Sequence, residues 1–106
     1  IPKFTFYAEP FLKDVVMTVP ENITRIEESA FEETDIKEVQ VLGNLEFLGE
    51  DTFRDCQFLE KITFFGEVRD IEDGVFAGCP KLTVVCIPDT RIAQYSIDNN
   101  IPTESI

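Results

Sequence analysis

Apolar positions in this chain recur as a block that returns every 22 to 23 residues. An aromatic sets the register: Phe31, Phe53 and Phe76 each follow a small or β-branched residue, Ala30, Thr52 and Val75. Five positions before each Phe stands an aliphatic (Ile26, Leu48, Ile71), and three before that another (Ile23, Leu45, Val68). Three after each Phe comes a small residue: Thr34, Cys56 or Cys79. An aliphatic-x-x-aliphatic-x-apolar run follows, as Ile36, Val39, Val41, then Leu59, Ile62, Phe64, then Leu82, Val85, Ile87. The first unit lacks one residue between Thr34 and Ile36. Agreement at eight positions in three consecutive units identifies a repeat, and the repeat dictates the fold.

A unit this short cannot bury its own apolar face, but stacked units share one continuous core. The second half of each run alternates and is rich in β-branched or aromatic residues, which predicts a short strand. Strands of successive coils then lie about 4.8 Å apart in a parallel ladder. The stretch around "EESAFEE" is too short for a full helix and reads as turns or a brief 3₁₀ piece, with its Phe as an inward wedge. Ile26, Phe31, Leu48, Phe53, Cys56, Ile71, Phe76 and Cys79 are the expected core, and Pro88 is expected to end the last strand.

The ends depart from the pattern. Met17, Val19 and Pro20 take the strand slots of a partial coil, with Asp14 where an aliphatic is expected, and the alternation of Phe4 and Phe6 predicts a capping strand or hairpin. Downstream, Arg91 and Gln94 stand where aliphatics would recur, while Ile92, Tyr95 and Ser96 have helical spacing and Asn99-Asn100 resembles a C-cap. The expected organisation is a single domain over 1–106, with an N-terminal cap and partial coil (1–20), three repeats (21–88) and a helical C-terminal cap (89–106).

The segments "ITRIEESAFEETDIKEVQV", "LEFLGEDTFRDCQFLEKITF" and "VRDIEDGVFAGCPKLTVVCIP" resemble the BspA-like class of leucine-rich repeats, with its Ala-Phe-x-x-Cys signature. The likeness covers roughly residues 12 to 100, and "CIPDTRIAQYSIDNNIP" looks like that family's terminal segment. Only Gly49 fills the family's Gly slot, where Glu27 and Glu72 stand elsewhere, and Thr34 replaces the first Cys. The resemblance implies a right-handed leucine-rich-repeat solenoid with a parallel β-sheet, few short helical turns and no enzymatic chemistry. It also implies an extracellular or cell-surface setting, because members occur as surface or secreted proteins of gut and oral bacteria and of parasitic protists. They are often proposed to bind host proteins.

Composition narrows the function classes. The 106 residues carry 21 acids against 9 bases, a net charge of −12, which repels phosphate backbones and anionic lipid and so argues against nucleic-acid binding. No apolar run approaches the ~18 residues a membrane span requires, so no membrane insertion is expected. The chain opens on Ile1-Pro2 without a signal-peptide pattern, and reads as a processed form or excised piece. Three cysteines without a CxxC, and no histidine, form neither a disulfide framework nor a zinc pattern. The missing His also removes the commonest general base, so no enzyme and no cofactor is expected.

Candidate contact residues follow from strand alternation. The expected outward columns are Val16, Glu38, Lys61 and Val84; then Thr18, Gln40, Thr63 and Cys86; then Pro20, Leu42, Phe65 and Pro88 at the strand ends. Glu38, Gln40, Leu42, Lys61, Thr63 and Phe65 are the candidates for binding a protein partner, with Leu42 and Phe65 either an exposed apolar pair or locally packed. Cys86 reads as the accessible thiol, and Cys56 and Cys79 as neighbouring thiols that stay free in preference to bridging. The stacked acids Glu27-Glu28, Glu50-Asp51 and Glu72-Asp73 read as a solvated face and not a Ca²⁺ site, for want of a calcium-loop pattern. Asn22-Ile23-Thr24 matches a glycosylation sequon. The functional expectation is a non-catalytic protein-binding module, adhesin-like; its alternatives are a spacer or capping segment of a longer solenoid and an intracellular interaction module. An unpaired strand edge at the N-terminal coil also allows edge-to-edge self-association.

Overall fold

The computed structural model describes all 106 residues. The chain winds as a parallel β-solenoid through β1 (Val16–Val19), β2 (Arg25–Ile26), β3 (Glu38–Val41), β4 (Leu45–Leu48), β5 (Lys61–Phe64), β6 (Val68–Ile71) and β7 (Thr83–Cys86). One helix, α1 (Arg91–Asp98), and a last strand, β8 (Thr103–Ser105), complete it. Two parallel sheets result, β1-β3-β5-β7-β8 and β2-β4-β6. The second sheet is built on Ile26 and the aliphatic pairs Leu45/Leu48 and Val68/Ile71, whose three-residue spacing in the sequence does not read as a strand. Gly43 and Gly66 turn the corner between sheets, where the Asn44 Oδ1 accepts the Glu67 N–H at 2.8 Å.

The third side of each coil is a turn ladder. Phe31 donates its N–H to Thr52, Phe53 donates to Val75, and each is flanked by two residues that also donate to the coil above. Forming these parallel bonds requires a left-handed backbone at two positions per coil: Ser29 and Glu33, Asp51 and Asp55, Gly74 and Gly78. The wedge rings consequently stack, Phe31 on Phe53 at 5.1 Å and Phe53 on Phe76 at 6.0 Å between centroids. Twenty-two buried residues form one cluster along this axis, so no coil has a separate core.

The N-terminal segment is neither strand nor hairpin. Phe4, Phe6 and Ala8 donate to Glu28, Ala30 and Glu32, with left-handed Phe4 and Ala8, so it repeats the turn ladder. Phe6 stacks on Phe31 at 5.0 Å and is a fourth wedge. Leu12, not Asp14, packs against the core in that coil, held by its N–H to the Asp35 Oδ1 at 2.6 Å.

The last coil corrects a second expectation. Lys61 pairs with Thr83 and Ile62 with Val84, one residue earlier than the repeat spacing implies. Val84 and Cys86 therefore face the core at 0% and 3% exposure, Val85 lies on the outer face, and Ile87 is 41% exposed. Four consecutive apolar residues, Val84 to Ile87, carry no alternation to choose a face, and a one-residue slip exchanges the two. The inward pair shares the core cluster with Ile92 and Ala93 of α1.

Helix α1 closes the array. Thr90 caps its first turn, and the Glu67 carboxylate accepts the Arg91 N–H at 2.9 Å, placing negative charge at the helix N-terminus. Its end is a Schellman turn: Ile101 N–H bonds Ser96, Asn100 N–H bonds Ile97, and Asn100 is left-handed. That turn releases the chain into β8, which pairs with β7 from Val84↔Thr103 to Cys86↔Ser105. Tyr95 meets Phe76 edge-on at 6.1 Å and terminates the aromatic column.

Candidate binding face

The outer face of the five-stranded sheet is assembled from alternate residues of strands in register. Val16, Glu38, Lys61 and Thr83 form one column, and Thr18, Gln40, Thr63, Val85 and Glu104 the next. Among the candidates, Lys61 is exposed, Glu38 and Gln40 are half-buried, and Thr63 is buried at 6%. Thr63 is thus withdrawn from contact: its short side chain sits in the central strand with paired neighbours on both sides. Cys86, expected on this face, points into the core instead, so the chain has no accessible thiol there.

One step beyond the strands the ladder continues from β1 to β3, from β3 to β5 and from β7 to β8, while the paired register of β5 and β7 ends at Thr63 and Val85. Leu42 donates its N–H to Val19, Phe65 to Val41 and Ile106 to Cys86. Leu42, Phe65, Ile87 and Ile106 therefore follow one another across four adjacent strand ends, after Pro20 on the first. Their exposures are 37%, 45%, 41% and 58%. Four large apolar side chains in one line are a surface feature that scattered single exposures do not explain. Leu42 and Phe65 are legible in the sequence and the other two are not, because repeat spacing places Ile87 inward and β8 has no apolar alternation to announce it.

Other large apolar residues, Phe11, Phe58 and Ile97 among them, are exposed away from this line, and several charged groups pair locally. On the second sheet, Arg25 lies over Phe47 at 4.5 Å and pairs with Glu27 at 2.8 Å. The hydrogen bond that Arg25 donates to the Glu27 carboxylate raises the Arg25 pKa. Of the stacked acids, Glu28 pairs with Lys3 at 3.6 Å and Asp51 with Arg54 at 3.4 Å, and no three His, Cys, Asp or Glu converge as a metal site. Asn22 of the sequon is exposed.

The expected core residues Ile26, Phe31, Leu48, Phe53, Cys56 and Phe76 are buried, with Ile71 and Cys79 partly buried against them. All three thiols are free. Cys56 donates to the Phe31 carbonyl and Cys79 to the Phe53 carbonyl, both at 3.0 Å, so each satisfies the wedge residue of the coil below. The Cys56 sulfur lies 3.4 Å from Thr34 Oγ1, which continues the same column. Contact with Cys56, then burial, pushes the Cys79 thiol pKa well up. A concavity of about 580 Å³ opens at the C-terminal corner beside Phe76, Cys79, Leu82 and Tyr95. Of its lining groups, the Cys79 thiol is engaged by the Phe53 carbonyl.

No helix is long and apolar enough to cross a membrane. Comparison with curated proteins and with solved structures returned no match. The model of the BspA-type leucine-rich repeat region matches in six copies over residues 1–104, including the N-terminal turn ladder and the α1 segment outside the three regular repeats. The stacked Phe wedges, the parallel ladders and this match together establish that the chain belongs to the BspA-type leucine-rich repeat family, whose repeats are typically non-catalytic.

Proposed function

We propose that this chain is a non-catalytic protein-binding module of a surface or secreted protein, adhesin-like in role, which engages its partner across the outer face of the five-stranded sheet. The observation that carries the reading is the exposed line of Leu42, Phe65, Ile87 and Ile106. A line of apolar side chains carried at the ends of paired strands is pre-organised, so little backbone entropy is lost on binding. Glu38, Gln40 and Lys61 beside it supply a polar rim. BspA-type repeats are often found in surface proteins, which supports the setting. The test is capture of extracellular-matrix and plasma proteins on immobilised chain, against a Phe65→Glu control. Saturable binding that the control loses supports the reading; retention by the control removes this face from it.

A second reading, a spacer within a longer solenoid, draws on the sheet edges. β1 and β8 each pair on one side only, and each offers backbone groups to a further coil. Absence of any saturable partner in the same experiment favours it.

A further inference from the structure

We infer that the apolar line is a seat for an amphipathic helix with a basic flank, supplied by a partner protein and lying across the strands. This rests on the reading of the sheet face as a binding surface and specifies its occupant. The argument begins with spacing. Side chains in the line are separated by the distance between adjacent parallel strands, about 4.8 Å, so four of them span about 14 Å. One face of an α-helix repeats every turn, about 5.4 Å, and residues i, i+4, i+7 and i+11 span about 16 Å. An extended chain laid along the same line repeats on one face every two residues, about 6.7 Å, and its four side chains span about 20 Å. The helix keeps each anchor within reach of its counterpart along the line, whereas the extended chain runs ahead by more than a full strand.

Backbone chemistry points the same way. Strand addition needs unpaired N–H and C=O groups, but Leu42 and Phe65 donate their N–H groups to Val19 and Val41 within the ladder. A strand crossing the outer face at Leu42 and Phe65 would find those donors already bonded. A helix needs none, because its own hydrogen bonds are internal.

Charge sets the flank. Exposed Glu21 and Asp89 border the line on the corner side, and exposed Glu104 lies beside it on the strand side. Lys61 is the one base among the outward strand residues of this sheet, in a chain of net charge −12. A helix with Lys or Arg beside its apolar stripe is complementary on both sides, and an acidic helix is repelled.

The test uses three fluorescein-labelled 15-residue Leu/Lys peptides of identical composition: one with Leu at helical period, one alternating at strand period, and one scrambled. Anisotropy is read at physiological salt, with circular dichroism of the helical peptide on binding. The expected result is saturable binding of the helical-period peptide at least tenfold tighter than the other two, with a gain of helicity. Phe65→Glu and Ile106→Glu should each weaken it about tenfold or more. Both substitutions make the chain more acidic, so a purely electrostatic contact would tighten in them. Ile106 is 58% exposed, so its variant tests the line even if Phe65→Glu perturbs the fold. Equal or tighter binding of the strand-period peptide, or indifference to both glutamates, overturns the inference. So does concentration-dependent self-association abolished by Ile106→Glu, which would make a second copy the occupant. A natural partner captured through Phe65 without helix preference would sink the helix while keeping the face.

Discussion

Phe53 lies flat on Phe31, with ring centroids 5.1 Å apart and planes 11° apart. Phe76 covers its other side, so Phe53 is the wedge whose loss no neighbour can repair. Truncating a fully buried Phe forfeits its transfer energy and leaves a cavity between two rigid coils. Phe53→Ala should cost about 3–5 kcal/mol, read from urea unfolding. Phe6→Ala, at the partly buried end of the column, should cost clearly less.

Gly49 is needed for clearance and not for conformation. A Cβ there would come within 2.6 Å of the Glu27 carbonyl carbon and the Glu28 nitrogen, which are backbone atoms of the coil below. Gly49→Ala should therefore destabilise, by about 1–3 kcal/mol for an overpacked interior contact. The equivalent substitution Gly43→Ala, whose nearest atoms lie at 3.0 Å, should cost less in the same denaturation series.

Glu33 occupies a left-handed position with φ of 61°, where the last coil carries Gly78. A non-glycine residue pays roughly 1–2 kcal/mol in that region, while glycine pays about 0.5–1 kcal/mol in unfolded-chain entropy. Glu33→Gly is expected to raise stability by up to about 1 kcal/mol, seen as a higher urea midpoint with an unchanged slope. A lower midpoint would show that Glu33 side-chain contacts outweigh the backbone strain.

Burial raises the Cys86 pKa, while within the Cys56–Cys79 contact the shifts oppose each other, up at Cys79 and down at Cys56, so the pH dependence rests on Cys86. Above the unfolded thiol value of about 8.5, the unfolded chain releases a proton that the folded chain retains at Cys86. Its contribution to stability is complete below that pH and is lost as pH rises beyond it. Stability should decline from about pH 8.5 upward, and Cys86→Ala should reduce the slope. Native Cys86 should alkylate far more slowly at pH 8 than it does in urea; fast native alkylation would place it back on the surface.

Tyr95 meets Phe76 edge-on and donates its hydroxyl to the Glu72 carbonyl at 3.3 Å, so it closes the end of the aromatic column. Removing it with Tyr95→Ala bares that end of the column and widens the neighbouring concavity. Expected outcomes are a lower melting temperature and concentration-dependent association in sedimentation velocity. A monomeric Tyr95→Ala would show that α1 seals the array without this ring.

Much of this protein is local enough to be written in its residues. The 22–23 residue return of Phe31, Phe53 and Phe76 determines stacked coils, an inward aromatic column and parallel strands, because no single unit can bury its apolar face alone. The helix at 91–98 was legible too, from Ile92, Tyr95 and Ser96 followed by an Asn pair suited to a left-handed cap. What stayed illegible has one cause: strand register is set by pairing, not by spacing. Val84 to Ile87 are all apolar, and only hydrogen bonds to Ile62, Thr63 and β8 decide that Cys86 turns inward and Ile87 out. Thr103 to Ser105 are polar and exposed, and form a strand only because β7 presents an edge to them. The Phe6 ladder is hidden likewise, since its left-handed Phe4 and Ala8 carry no glycine signal and are stabilised by carbonyls of the next coil. The apolar line of Leu42, Phe65, Ile87 and Ile106 inherits both effects, so residues spread over most of the chain become neighbours only once tertiary pairing has chosen their faces.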